Sequence, residues 1–547
     1  MKKIFTFFMA LGLTLALMAC GTETTTTTVS TTTQGQITKP TTQTTAGTGT
    51  VITTKPGTTT VTTTTAEEDE EFVCVVDRTG INPDDIIEID YMSTDPQDVE
   101  ERMACAYQQA NPNVIVNVRY DIVDDATAAA KDKTSYLVEL ASTTGYLPDV
   151  FQLTSVENAA AGKILYDFAN EFNSDPDTEH LFPAAKAIGA YGANSEKRLA
   201  MVNGQAVRGV MLNKTLLNEL NLNLRNYGFN FNKGEIWTVD EMLALARTFS
   251  EQARGKYANQ YYYGVDGEYS QLGFNLYFPS VYNDNLTYWA LDKTTGLFDF
   301  TSANSKFIQV YQQEIDLLKE GIRPNATAAE QTLEFGATVS ADDLFFTYGR
   351  TLMFHAFSYN FFMMQQNDQF EYMFLPLPEI DEEGVTSKTF GETGAVGLSK
   401  FLADDPAKAA VAYDFAKYVT WGEEGFAERI EFNVELGTLL PKFPVSDYNS
   451  LWDRILEIYS DTESVFYIEG LDIVIENLLN GTVELGVSKT YPGVNNFKIW
   501  LSNSDADSHR KAVLAGTMQV ADVALIWEQK ANELIREGKQ LYENYPN

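Results

Sequence analysis

From residue 84 onward, short apolar runs alternate with segments whose apolar residues recur every three or four positions, and no other feature narrows the fold as much. Ile86-Ile87-Glu88-Ile89-Asp90-Tyr91 reads as a strand, rich in β-branched residues and too short for a helix. After Ser93-Thr94-Asp95-Pro96 the spacing becomes helical over residues 97–110, with Val99, Met103 and Ala106 or Tyr107 on one face. Asn111-Pro112-Asn113 stops that helix, and Val114-Ile115-Val116-Asn117-Val118 reads as a second strand. Residues 136–142 are helical again, and 147–152 enter a third strand through Val150-Phe151-Gln152. A βαβ opening of this kind predicts an α/β fold with a largely parallel sheet and helices on both faces.

The chain in front of this pattern has other properties. Met1-Lys2-Lys3 is followed by an apolar run from Ile4 to Met18, shorter than the roughly 20 residues a membrane span needs but suited to a signal-peptide core. It ends in Leu17-Met18-Ala19-Cys20-Gly21, which resembles the bacterial lipobox. The resemblance implies that residues 1–19 are removed and that Cys20 takes a diacylglycerol; the alternative is an unlipidated signal peptide beside a chance cysteine. No second apolar stretch is long enough to span a bilayer, so lipid is the expected anchor. Residues 22–65 are dominated by threonine, with Glu23, Lys39 and Lys55 as their charges and no large aromatic. Such a segment has nothing to bury against the about 1–2 kcal/mol per residue of backbone ordering, so residues 20–71 are expected to form a lipidated, disordered tether. Its composition also suits O-glycosylation.

Net charge sets limits on partners. With 39 basic and 76 acidic side chains the chain carries −37, which repels phosphate backbones and excludes a nucleic-acid partner. It also argues against docking on anionic lipid through a basic patch. Three histidines and three cysteines leave little for a zinc site or a histidine triad. No G-x-S-x-G, H-E-x-x-H, P-loop or G-x-G-x-x-G motif is present. Asn503-x-Asp505-x-Asp507 begins like a calcium loop, but Ser508 stands where the turn glycine belongs and Leu514 where the bidentate glutamate belongs. Glu379-x-Asp381-x-Glu383-Gly384 keeps the glycine and has Phe390 at the twelfth position. The expectation is a protein without metal, cofactor or catalytic step, although two carboxylates meeting in a cleft would escape any linear motif. His355, between Phe354 and Ala356, reads as a core or cleft-edge residue. Cys74 and Cys105 are the cysteines left beside Cys20 in an exported chain, where disulfides persist; a bridge between them is expected, against the alternative of two thiols.

Later segments add local detail. Thr238 with Glu241 forms a capping box before an apolar-periodic helix. Asp405-Pro406 is an N-cap followed by proline at the first helical position. Residues 512–541 read as one long amphipathic helix.

Taken in order, the strand, the helix, NPNVIVNV, the second helix and LPDVFQL resemble the start of a family 1 extracellular solute-binding protein, the maltose-binding class. NGQAVRGVMLNKTLLNEL, WTVDEMLALARTF, YGRTLMFHAFSYNFF, FLPLPEIDEEG and DPAKAAVAYDFAKYVTWGEEGFAERIEF follow in the family's order, so the likeness runs over residues 84–540. It implies two α/β lobes joined by a three-crossing hinge, the periplasmic-binding-protein type II arrangement. Lobe I is expected over 72–208 with a return over 379–440, lobe II over 209–378, and C-terminal helices, mainly of lobe II, over 441–547. The crossings are expected near 205–212, 376–392 and 436–444.

The same resemblance implies a monomeric, lipid-anchored receptor on the outer face of the cell membrane. It would capture a carbohydrate, expected to be an oligosaccharide, and deliver it to the permease subunits of an ABC importer. Alternatives are the same fold serving a peptide, polyamine or metal ion, or, in another class, a stalked surface adhesion lipoprotein. Ligands of doubly wound sheets bind beyond the carboxyl ends of the strands, which selects Tyr91, Gln152 and Ser155. By resemblance, GFNLYFPSVY supplies an aromatic wall at Tyr277, FSYN supplies Phe357 and Tyr359, and Gly391-Glu392-Thr393-Gly394 at the second crossing supplies Glu392 and Thr393. For each aromatic a core role is the alternative.

Overall fold

The computed structural model describes residues 72–122, 132–191, 197–232, 237–257, 261–266, 286, 290–324, 344–361, 364, 367, 369–379, 388–485, 491–501 and 504–543. Cys20, the threonine-rich segment and Tyr277 lie outside them. Strand β1 (Ile87–Met92), helix α1 (Gln97–Ala110) and strand β2 (Val114–Val118) form the expected βαβ unit, with β1 and β2 parallel from Ile87–Val114 to Tyr91–Val118. Helix α1 turns Val99, Met103, Ala104 and Tyr107 inward and ends at Asn111, whose amide still bonds Tyr107 O. Helix α2 (Lys133–Thr144) leads to β3 (Val150–Leu153), which lies parallel to β1 on its other side, and α3 (Val156–Ala161) follows at once.

Long strand β4 (Met201–Asn213) is buried at all thirteen positions. Beyond it come α4 (Val239–Lys256), β5 (Tyr263–Asp266), α5 (Phe307–Glu320), β6 (Thr351–Phe357), β7 (Tyr372–Leu375) and β8 (Lys388–Leu398). The capping box at Thr238 is complete: Glu241 N–H donates to the threonine hydroxyl at 3.2 Å, and Thr238 N–H donates to the Glu241 carboxylate at 2.8 Å. Helices α6 (Pro406–Thr420) and α7 (Glu423–Glu435) then pack on lobe I, with the Asp405 carboxylate accepting from Lys408 N–H at the start of α6. Helices α8 (Asn449–Ser460) and α9 (Leu471–Asn480), strand β9 (Thr482–Leu485), helix α10 (Val494–Leu501) and helix α11 (Val520–Glu543) complete the chain.

The strands order as β2-β1-β3-β8-β4-β6-β5, with β9 beside β8 and β7 beside β4. The sheet departs from the largely parallel expectation. Parallel pairing holds in the outer parts, β2-β1-β3 and β6-β5, whereas β8 is antiparallel to β3 and β4, and β4 is antiparallel to β6 and β7. The reason is the path. A strand that carries the chain from one lobe to the other and a strand that brings it back run in opposite directions.

Each lobe has its own interior. In lobe I, Tyr91, Tyr107, Phe415 and Trp421 gather under α1 and α6, and Phe151, Leu137 and Ala160 fill the opposite face. In lobe II, Trp237, Phe249, Tyr311 and Trp527 lie among α4, α5 and α11. A third cluster, with Phe374, Phe443, Trp452 and Leu471, packs α8 and α9 onto the crossing strands. The expected single helix over 512–541 is two: a helix over Ser504–Leu514 stops before Gly516, whose φ of 73° belongs to the left-handed region, and α11 restarts at Val520. Among the described residues no helix is long and apolar enough to cross a membrane.

Candidate functional site

At the carboxyl ends of β1 and β3 the selected side chains are held within the protein. Tyr91 is 1% exposed, and its hydroxyl donates to Glu100 at 2.7 Å. Burial, reinforced by the Glu100 charge, drives that phenol well above its ordinary pKa. The Arg429 guanidinium completes the group, donating to Glu100 at 2.6 Å and to Val419 O at 2.8 Å. Tyr91 is therefore a core residue and departs from its expected place on a cleft wall. It shares a face with Ile89, two positions earlier, and that face turns toward α1 and α6.

Gln152 is 7% exposed, and its amide donates to Asp95 at 2.6 Å and to Ser93 Oγ at 3.1 Å, while its carbonyl oxygen accepts from the Thr94 amide and hydroxyl. Ser155 caps α3 by accepting from Asn158 N–H at 3.1 Å. Asp95 is the centre of this net. Lys442, on the third crossing, reaches both its oxygens at 2.6 and 2.7 Å. Burial alone would raise the Asp95 carboxyl, but Lys442 and Arg429 outweigh it and hold the group below the ordinary carboxylate value.

The crossing strands carry a different arrangement. Strand β4 pairs with β8 up to Val207 and with β6 from Arg208, so the partner changes between adjacent residues. Gly204, with φ of 60°, lies opposite a shift in register between Glu392 and Gly394. Thr393 is buried there, its hydroxyl donating to Gly204 O at 2.5 Å. The third crossing is stitched to the same point: Gln205 and Phe443 exchange backbone bonds at 2.9 and 2.7 Å, and the Gln205 amide donates to Pro444 O at 2.6 Å.

One face of β4 at this junction is a candidate floor. Arg208 lies opposite Phe357, and Ala206 opposite Glu392, so alternation brings Arg208, Phe357 and Glu392 to the same side. Further along, that side is covered at Val210 and Leu212 by the lobe II interior. At the junction, Phe357 and Glu392 keep part of their surfaces, and Tyr359 is 41% exposed. The rings of Phe357 and Tyr359 stack with centroids 5.1 Å apart and planes 14° apart. The Arg208 guanidinium lies 4.2 Å from the Phe357 centroid on one side and 3.8 Å from the Glu392 carboxylate on the other. An open aromatic face beside a carboxylate suits a molecule that offers both an apolar ring surface and hydroxyl groups.

A further contact lies outside the crossing strands. Glu157, in the first turn of α3, accepts from Gly493 N–H at 2.6 Å and from Asn495 N–H at 3.4 Å, at the start of α10. A carboxylate at a helix amino end is favourably placed against the helix dipole. Among the described residues, no cluster of three or more histidine, cysteine or carboxylate side chains stands where it could hold a metal ion.

No protein-family profile matches the sequence, and neither does any curated protein. Solved structures do match in fold. An ABC substrate-binding protein from Listeria monocytogenes in complex with cycloalternan is 17% identical, with 82% of this chain and 99% of that one covered and a TM-score of 0.56. A cyclic α-maltosyl-1,6-maltose binding protein from Arthrobacter globiformis is 16% identical over 83% of this chain and 100% of its own, with a TM-score of 0.57. The maltose/maltodextrin-binding domain MalE of Bdellovibrio bacteriovorus, bound to maltotriose, is 14% identical over 82% and 100%, with a TM-score of 0.51. The fold is that of a type II solute-binding protein of the maltose-binding class. These neighbours are binding proteins rather than enzymes.

Of the residues selected from sequence, the structure brings Phe357, Tyr359 and Glu392 together, places Thr393 in the hinge contact, and sets Tyr91, Gln152 and Ser155 in the net of lobe I. Sequence reading passed over Arg208, Asp95, Lys442 and Glu157. Arg208 did carry a signal, as the one charged side chain in the thirteen residues of β4.

Proposed function

We propose that this chain captures a carbohydrate between its lobes and delivers it to an ABC importer. The observation that carries the reading is the exposed Tyr359 ring, stacked on Phe357 beside Glu392 on the crossing strands. Sugars present flat apolar faces and hydroxyl edges, and such a surface meets both. The charged groups beside it, Arg208 and Glu392, are paired within the protein, which favours a neutral ligand over a polyamine or an acidic peptide. Support also comes from the neighbours, whose solved complexes hold cycloalternan and maltotriose. In this reading the lobes keep the limits given by the sequence, the protein is a monomer, and no catalytic step belongs to it.

The test is a thermal-shift screen of the purified chain against neutral oligosaccharides, peptides and polyamines. A ligand at a hundredfold excess over its Kd stabilises the folded form by about 2.7 kcal/mol. A response confined to peptides or polyamines would replace the carbohydrate reading, and silence throughout would favour the adhesion class.

Anchoring belongs to the same proposal. Cys20 carries thioether-linked lipid, becomes the mature amino terminus, and holds the receptor on the outer face of the cell membrane. Mass spectrometry of the mature amino-terminal peptide tests this, and a Cys20→Ala chain that is cleaved yet still membrane-bound would refute it. Cys74 and Cys105 are both disulfide-bonded. We assign them to each other, a pairing that peptide mapping without reduction would check.

A further inference from the structure

Strand β4 carries one residue more than its partner at the crossings. Gly394 lies opposite Asn203 and Glu392 opposite Ala206, so Gly204 and Gln205 together face the single residue Thr393. This is a β-bulge whose first residue, Gly204, has a left-handed φ of 60°. Its effect follows from the period of two along a strand. Continued without the bulge, the Asn203–Gly394 register would set Glu392 opposite Gln205, on the face away from Arg208. The extra residue turns Glu392 to the face that Arg208 and Phe357 share.

A bulge takes backbone groups out of the ladder, and those groups need other partners. Here the third crossing supplies them. Gln205 N–H donates to Phe443 O at 2.9 Å, Phe443 N–H donates to Gln205 O at 2.7 Å, and the Gln205 side-chain amide donates to Pro444 O at 2.6 Å. The residue before Phe443 is Lys442, whose ammonium holds both oxygens of Asp95 at 2.6 and 2.7 Å, with the two side chains 20% and 13% exposed. Its stem lies so close to Gly204 that a β-carbon there would come within 2.9 Å of Lys442 Cβ. We infer that Lys442, held by Asp95, is a positioning residue for the candidate floor: it seats the third crossing against the bulge, and the bulge turns Glu392 toward the ligand. The inference rests on the proposed function in taking Glu392 as part of the surface that meets the ligand. Neither Lys442 nor Asp95 belongs to that surface, and their influence passes through the backbone of Gln205 and Phe443.

The experiment uses the full chain with Lys442→Met, Lys442→Arg, Asp95→Asn and the double variant of Asp95→Asn with Lys442→Met. Amide hydrogen exchange without ligand, read by mass spectrometry, is the first measurement. Lys442→Met and Asp95→Asn are expected to exchange at least tenfold faster over residues 203–207 and 442–445, with the β1–β2 ladder within twofold of the unaltered chain. Lys442→Arg is expected to keep the unaltered rates. Calorimetry with maltotriose is the second measurement. Lys442→Met is expected to lose at least tenfold in affinity, and Glu392→Gln to cost much less in that background than in the unaltered chain. Faster exchange spread evenly over the chain, unchanged exchange at the bulge, or affinity losses that simply multiply would overturn the inference. Should Lys442→Met not fold, the double variant, which leaves neither charge of the pair behind, takes its place in both measurements. If maltotriose gives no heat, the exchange pattern decides alone. Silence toward every sugar would remove the carbohydrate reading without touching that pattern, so the two failures are distinguishable.

Discussion

The strand ends of lobe I and the floor at the crossings contain similar side chains with opposite fates. Around β1 and β3, Tyr91, Gln152, Ser155 and Asp95 are each bonded to a protein partner, and the carboxylates are matched by Arg429 and Lys442. At the crossings, Phe357, Tyr359 and Glu392 keep part of their surface while Arg208 supports them from beneath. The comparison teaches that a topological rule locates the neighbourhood of a site, and that burial and partner geometry decide which side chains there are still available.

The comparison can be broken first at the ion pair. Glu100→Gln leaves Arg429 buried without its carboxylate, and the expected loss is about 3–5 kcal/mol of folding stability in urea titration. Ligand affinity of the folded fraction should be unchanged; a large affinity loss would put this group in the site. Tyr359→Ala is the opposite case. It should weaken carbohydrate binding by about 1–3 kcal/mol in calorimetry, with little change in the ligand-free melting temperature. A large drop in that temperature would move Tyr359 from the open face to the core.

Asp95 sharpens the contrast through pH. Its folded pKa lies below the ordinary value of 3.8, so its contribution to stability is present above pH 3.8 and disappears as pH falls through the folded value. The stability gap between the unaltered chain and Asp95→Asn should therefore be constant near neutrality and close only below about pH 4. A gap that closes between pH 5 and 7 would contradict the Lys442 pairing. The smallest effect is expected at Ser155. Replacing it with alanine removes the α3 cap, costs about 1 kcal/mol of stability, and leaves binding unaltered.

Much of the fold was legible in local pattern. The βαβ opening, the Thr238 capping box and the Asp405-Pro406 start are short-range features, and they form where their chemistry dictates. Tyr91 misled because position along a strand shows nearness to a strand end, whereas facing depends on which side the helices cover. Arg208 and Glu392 meet only through the pairing of β4 with β6 and β8, a long-range register that no local spacing encodes. The break at Gly516 was missed because the apolar repeat continues on both sides of it, while the left-handed turn resides in a single residue.

Strand β4 runs as one strand from Met201 to Asn213, paired with β8 up to Val207 and with β6 from Arg208, with one register shift opposite Gly204. Any turning of one side against the other has to pass through this ladder, and the shift in register opposite Gly204 is the place where its regular pairing is already interrupted.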